Sequence, residues 1–342
     1  MKPKAQSTAL LILIILYSIF FTYNHLATTE WGATSFRKLV DGTAITPMQY
    51  RALVPWLAWG LEHLTPALPF IHDLNGIRAL LEFVSVLSLM VVFVWGTRRL
   101  LALCFPALEG AGRDSAEWFT LLLFMLALPF HFLTPRTQPT YYYPSDIPSI
   151  LVFVIGIVSV LRRQYLAFYL AFILGTLNRE TTCFLTVFLL LAAWQRGSRR
   201  SLLLHALAQA AIWIGIKAAL YALYSNNTVP EYCDVCSIFK LSVRDNLEYT
   251  GSALWSLLPS VYGFLWIPLL IVARFIPHRG LRRGLWLVPI FHVVMFIPGE
   301  IYELRIYVEM LPLVVWGAAF GMLALLLRGA ATRIPDQVTA ER

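Results

Sequence analysis

Ten apolar runs, at residues 8–24, 79–97, 117–134, 148–161, 165–177, 182–194, 202–224, 252–274, 285–299 and 309–327, occupy most of this 342-residue chain. Short polar segments between them hold nearly all the charge. Crossing a hydrocarbon core takes about 20 apolar residues of helix, and only helices or closed barrels can cross with every backbone group paired. The pattern predicts an all-α, polytopic transmembrane helix bundle of about ten spans. It is read as one transmembrane domain, 1–342, with long external loops at 25–78 and 225–251. Only 13% of residues are charged, against about 25% in an ordinary soluble domain. Mean hydropathy is +0.68, and a soluble fold this apolar would lack the polar surface to cover itself. Disorder and a disulfide-rich scaffold are excluded by the same composition.

The net charge of +8 does not point to nucleic acid, because no basic stripe interleaved with aromatics runs along the chain. Basic residues recur instead as clusters between the runs: Lys2/Lys4, Arg98/Arg99, Arg162/Arg163, Arg196/Arg199/Arg200 and Arg279/Arg282/Arg283. Ten crossings with the N-terminus inside put 17 Lys/Arg and 5 Asp/Glu on one side, and 9 Lys/Arg with 13 Asp/Glu on the other. By the positive-inside rule this predicts cytoplasmic termini in a bacterial inner membrane. The first run lacks a small-residue cleavage site after it and is read as a retained span.

Residues 165–194 test the count, since Asn178-Arg179-Glu180-Thr181 interrupts an otherwise continuous apolar stretch. Two crossings keep the Arg196–Arg200 cluster inside, but each half is then only about 20 Å long. The tetrad must sit below the outer membrane surface, where polar backbone is tolerated only inside protein or beside a water-filled cavity. Residues 52–65, apolar but short and carrying Glu62-His63, read as an interfacial helix in the first external loop.

The acidic residues gather on the external side in four groups. The first loop holds Glu30, Asp41 and Tyr50-Arg51, and the second holds Tyr141 through Asp146. The third group is Asn178-Arg179-Glu180-Thr181, and the last is Glu300 through Arg305, with Glu303 two residues before Arg305. A charge at mid-bilayer costs about 2.5–3.5 kcal/mol on insertion scales, so such residues point by default to a functional site. The plainer alternative is that each pair anchors a short loop at the lipid headgroups.

In the order of these features the chain resembles the GT-C superfamily of integral-membrane glycosyltransferases, which take sugars from polyprenyl-phosphate donors. The resemblance rests on an acidic first external loop followed by an interfacial helix. It rests further on an Arg-Glu element in a mid-chain span (Leu177-Asn-Arg-Glu-Thr181) and a late acid-x-Arg element (Glu303-Leu-Arg305) running into Leu311-Pro312. It spans roughly residues 8–325. The chain departs from the group in its small size, in lacking a C-terminal periplasmic domain and in having no Asp-x-Asp or Asp-Glu doublet after the first span. The resemblance implies transfer of a sugar from a lipid-linked donor at the external face, in envelope polysaccharide or glycolipid assembly, with membrane lipids as the other partners.

The residue types suit that chemistry. A carboxylate deprotonates the acceptor hydroxyl, a contribution of about 10²–10⁴-fold, and arginines hold the leaving phosphate bidentately. Asp41 and Glu30 are the first candidates for the base, followed by Asp146 and Glu180. Arg51, Arg179 and Arg305 are candidates for the phosphate, with Tyr50, Asn178 and Glu303 beside them. Glu180 and Glu303 alternatively orient their arginines. No cofactor is indicated; a divalent metal is left open. A transporter or flippase of an anionic lipid or sugar, or a non-catalytic subunit of a membrane complex, are the rival classes, and a transporter should show paired helix breaks. Cys233-Asp-Val-Cys236 suggests a local disulfide in an oxidising compartment. Cys104, Cys183 and His292 read as packing residues, and Lys217 within the seventh run has no evident role.

Overall fold

The structure, a computed structural model, describes residues 3–64, 73–133, 141–194, 198–227, 242–253, 258–300 and 303–331. Its helices are α1 (Pro3–Leu26), α2 (Phe36–Val40), α3 (Leu53–Leu64), α4 (Leu74–Cys104), α5 (Gly110–Ala127), α6 (Pro129–Phe132), α7 (Asp146–Arg162) and α8 (Tyr165–Asn178). They continue with α9 (Phe184–Ala193), α10 (Arg199–Leu223), α11 (Val243–Ala253), α12 (Trp266–Val272), α13 (Arg279–Gly284), α14 (Leu287–Met295) and α15 (Leu311–Ala331). Among the described residues there is no strand, only an isolated bridge between Thr29 and Tyr141.

Among the described residues five helical stretches are long and apolar enough to cross a membrane: Thr8–Leu26, Leu74–Cys104, Gly110–Phe132, Arg199–Leu223 and Leu304–Gly329. The chain is thus an all-helical bundle with the helices of an integral membrane protein. The other apolar runs form shorter pieces, and the run at 252–274 shows why. After α11, residues 258–264 form a tight 3₁₀ stretch in which Val261, Tyr262 and Gly263 leave helical geometry. Tyr262, Gly263 and Phe264 all adopt positive φ, a turn that an unbroken helix cannot contain. A side chain at Gly263 would in addition meet the backbone of Ala127 at 3.1 Å.

α7 and the first half of α15 form the centre. Of the α7 residues from Asp146 to Leu161, only Leu151 and Ile155 are not buried. Trp316 of α15 is fully buried, donates its indole N–H to Thr97 Oγ1 at 2.9 Å and stacks on Phe93 at 5.2 Å. The other helices surround this pair with apolar faces still exposed, as in Leu203, Leu204, Leu207 and Ile214 of α10. A membrane helix needs no polar outer face, because lipid solvates it.

Local signals set several helix ends. Asp73 accepts from the Gly76 N–H at 2.8 Å and starts α4, an N-cap of the usual kind. α7 ends at Arg163, which is left-handed at φ 59°. α8 approaches α7 closely at Gly175, where a Cβ would lie 2.5 Å from Val152 Cγ1 and 2.9 Å from Thr182 Cγ2. That approach brings the end of α8 against the start of α7.

Candidate functional site

The interruption read from the sequence at 178–181 is a break in the backbone. α8 stops at Asn178, Arg179 is extended (φ −155°, ψ 146°), and Glu180–Cys183 form one 3₁₀ turn before α9 resumes. Two bonds frame the break: the Arg179 N–H donates to Gly175 O at 2.7 Å, and the Ala52 N–H donates to Leu177 O at 2.8 Å. The second ties the first external loop to the end of α8.

Asp146 heads α7, where the helix macrodipole favours a carboxylate. It is fully buried, as is Glu309. Arg179 Nη1 donates to Asp146 Oδ1 at 3.2 Å and lies 3.4 Å from Glu309 Oε1. Arg305 Nη1 donates to Asp146 Oδ2 at 3.4 Å, and its Nη2 donates to Glu303 Oε2 at 2.6 Å. The Arg305 guanidinium also lies over the Tyr143 ring, 3.9 Å from its centroid, in cation–π contact. Thr181 donates to Glu309 Oε1 at 2.6 Å, and Asn178 donates its amide to Ser145 O at 2.8 Å.

A second pair adjoins this buried set. Arg51 grips Glu180 with two bonds, Nη2 to Oε1 at 2.6 Å and Nε to Oε2 at 3.4 Å. Burial opposes the Arg51 charge, yet Glu180 holds its pKa above the ordinary arginine value. Trp213 donates to the Glu180 carbonyl at 2.9 Å, and Lys217 Nζ reaches Tyr50 O at 3.4 Å. Tyr50 stacks on Tyr221 at 5.0 Å.

Four cations (Arg51, Arg179, Arg305, Lys217) therefore meet four acids (Asp146, Glu180, Glu303, Glu309). A balanced set offsets the several kcal/mol that each isolated buried ion costs. The bonds are uneven, however. Charge-assisted N–H···O bonds are typically about 2.7–2.9 Å long, and both arginine contacts to Asp146 are longer. Arg179 Nε, Arg51 Nη1 and Asn178 Oδ1 are buried with no hydrogen-bond partner. Buried polar atoms are normally paired, so the arrangement leaves two donors and one acceptor unused.

The structure thus brings together eight residues singled out in the sequence: Tyr50, Arg51, Asp146, Asn178, Arg179, Glu180, Glu303 and Arg305. Glu30 and Asp41 are held elsewhere. Glu30 pairs with Arg78 and accepts from the Phe36 N–H at 3.3 Å. Asp41 is exposed and pairs with Arg37 at 3.0 Å, and Arg37 also binds Glu62. Cys233 and Cys236 lie outside the described residues. α3 occupies the stretch read as an interfacial helix, with Trp56, Leu57 and Trp59 exposed and Val54 and Ala58 buried.

Three participants were not picked out by sequence. Glu309 stands at the first position of the last apolar run, four residues after Arg305. Thr181 carried no signal beyond its place in the tetrad, and Lys217 had no assignable partner. A further buried network braces the same segment from behind: His25 Nδ1 lies 2.7 Å from Glu82 Oε1, and the Tyr142 hydroxyl donates to Glu82 Oε2 at 3.2 Å. Arg78 lies over the Tyr142 ring at 4.1 Å. Tyr142 and Tyr143 thus link the two networks on either side of one backbone segment.

Among the described residues no group of three His, Cys, Asp or Glu side chains is arranged to hold a metal ion. Compared with known proteins, the chain matches no family model, no curated protein and no solved structure.

Proposed function

We propose that this protein is a membrane glycosyltransferase that moves a sugar from a polyprenyl-phosphate donor to a hydroxyl acceptor at the external face. The observation that carries the reading is the pair of buried, unpartnered arginine donors, Arg179 Nε and Arg51 Nη1, at a helix break lined with carboxylates. One unused nitrogen on each of two guanidinium groups suits the oxygens of a phosphate, which accept charge-assisted N–H bonds. As the glycosyl–phosphate bond breaks, negative charge grows on the leaving oxygens, and fixed cations in a dry site stabilise it most there.

Among the acids, Glu180 fits the base best. Asp146 has no exposed surface and both its oxygens face arginines, so its role is to hold Arg179 and Arg305 in place. The Glu180 carboxylate is 42% exposed, so an acceptor hydroxyl can reach it, and Arg51, which bonds both its oxygens, must release one of them before Glu180 takes the proton. The ten-span topology, the cytoplasmic termini and the bacterial inner membrane belong to the same proposal, supported by the bias of basic residues toward one side.

The broken α8–α9 helix also suits a transporter or flippase, which uses such breaks to bind ions at mid-membrane. One experiment separates the two. Purified protein in liposomes is given a polyprenyl-phosphate sugar donor and acceptor lipid, and both product and donor translocation are followed. A transferase yields glycosylated product, lost in Glu180→Gln with donor binding retained. Translocation of the donor without product overturns the proposal.

A further inference from the structure

At the end of the bundle opposite the Asp146 cluster lies a cavity of about 460 Å³, lined by Leu103, Ala192, Pro277, His278, Arg279 and Arg283 among others. Its distance from the cluster follows from the helices: Leu103 and Ala192 stand at the last turns of α4 and α9, while the charge cluster sits where α7 and α9 begin. α7 alone spans 17 residues, about 25 Å of rise. The two sites are separate.

The walls are built for an anion. Arg279 and Arg283 are four residues apart on α13 and share a face of it. Among the described residues no acidic side chain lines the cavity. Arg282, between them in sequence, turns away and donates to the carbonyls of Arg274 and Ile276 at 3.3 and 3.5 Å. His278 Nδ1 accepts from the Leu281 N–H at 3.1 Å, which fixes the ring at the start of α13. The scaffold is stiff, because a Cβ at Gly280 would meet Ala192 O at 3.1 Å and one at Gly284 would collide with the Phe188 ring.

The surroundings are those of a membrane surface. Trp286, one turn past Arg283, is 66% exposed, and Arg274 and Arg328 both lie over the Phe275 ring. Exposed Trp and clustered Arg at one level mark the headgroup zone, and basic pockets between helices at that level recognise phosphate-bearing headgroups.

We propose that this cavity binds a phosphate group, carried by the headgroup of an anionic bilayer phospholipid, between Arg279 and Arg283. The proposal stands on the membrane character of the chain and does not depend on the sugar-transfer reading.

The test uses the full-length protein, purified and delipidated in detergent, with native mass spectrometry and melting temperature as readouts. The probes are phosphatidylglycerol, phosphatidylcholine and inorganic phosphate. Wild type should retain phosphatidylglycerol over phosphatidylcholine and melt higher with it. The Arg279→Gln/Arg283→Gln double variant should bind phosphatidylglycerol about tenfold or more weakly. Arg328→Gln, outside the cavity lining, should bind as wild type. Arg279→Lys/Arg283→Lys guards against misfolding, and it should keep part of the affinity because the charge remains. Inorganic phosphate should protect only at concentrations far above those of the lipid. Equal protection by phosphate at matched concentration would overturn the lipid as its source, and retention of phosphatidylglycerol by the Gln/Gln variant would overturn the site.

Discussion

Thr181 donates a hydrogen bond from its hydroxyl to Glu309 Oε1 at 2.6 Å, across 128 residues of chain. The bond joins the break between α8 and α9 to the turn that starts α15. It also places Glu309 against Arg179, so that two segments far apart in sequence share one buried charge balance. Thr181→Val leaves one oxygen of a buried carboxylate short of a donor, at a cost of about 1–3 kcal/mol. Glu309→Ala removes a partner of a buried Arg and should cost about 3–5 kcal/mol. Melting followed by tryptophan fluorescence in detergent should fall for both, and further for Glu309→Ala. An unchanged melting temperature in Glu309→Ala would show that the contact contributes nothing.

Arg179→Ala and Arg305→Ala should each lower sugar transfer by about 10² or more, the effect of losing one cation from a charge-stabilised transition state. Arg179→Lys should recover only part of the rate, because an ammonium cannot reproduce the planar fork. Asp41→Asn, by contrast, changes an exposed carboxylate paired with Arg37 and should leave transfer near wild type. Rates measured on folded, membrane-inserted protein decide the matter, and near-normal transfer in both alanine variants would remove the assigned site.

Gly175 can be tested without touching a charge. Gly175→Ala puts a methyl 2.5 Å from Val152 Cγ1, and overpacking of this kind typically costs about 1–3 kcal/mol. The end of α8 should be pushed off α7 and Arg179 drawn away from Asp146. Adding Val152→Ala removes the closest contact and should restore part of the melting temperature and activity, since Thr182 still lies 2.9 Å from the new methyl. Failure of the second change to rescue the first would mean that the close approach does not position the break.

Topology is open to direct measurement. Reporter fusions after Arg200 and Arg283 should lie in the cytoplasm, and one near Glu231 outside. The expectation rests on the 17-to-9 division of basic residues between the two sides. An external fusion at Arg200 would mean that 165–194 crosses only once.

Impermeant maleimide should label Cys233 and Cys236 only after reduction, if they are joined as their spacing suggests. Rapid labelling of both without reductant would exclude the disulfide.

Sequence alone determined the solvent of this protein and the location of its break. Apolar runs are local, and the cost of a charge in hydrocarbon is paid wherever the charge stands, so Arg179-Glu180 between two half-length runs was legible from their order. The choice of partners was not legible. Asp146, Arg179 and Arg305 come together only because Gly175 lets α8 press on α7 and because the turn before α15 folds back over both. Glu30 and Asp41 stood out in the sequence and Glu309 and Lys217 did not, yet the latter two close the cluster and the former pair with arginines elsewhere. A carboxylate's composition and neighbours in sequence carry no information about which arginine lies across the bundle. That is decided by helix packing, through contacts between residues from 33 to 159 positions apart, and only the tertiary structure holds them.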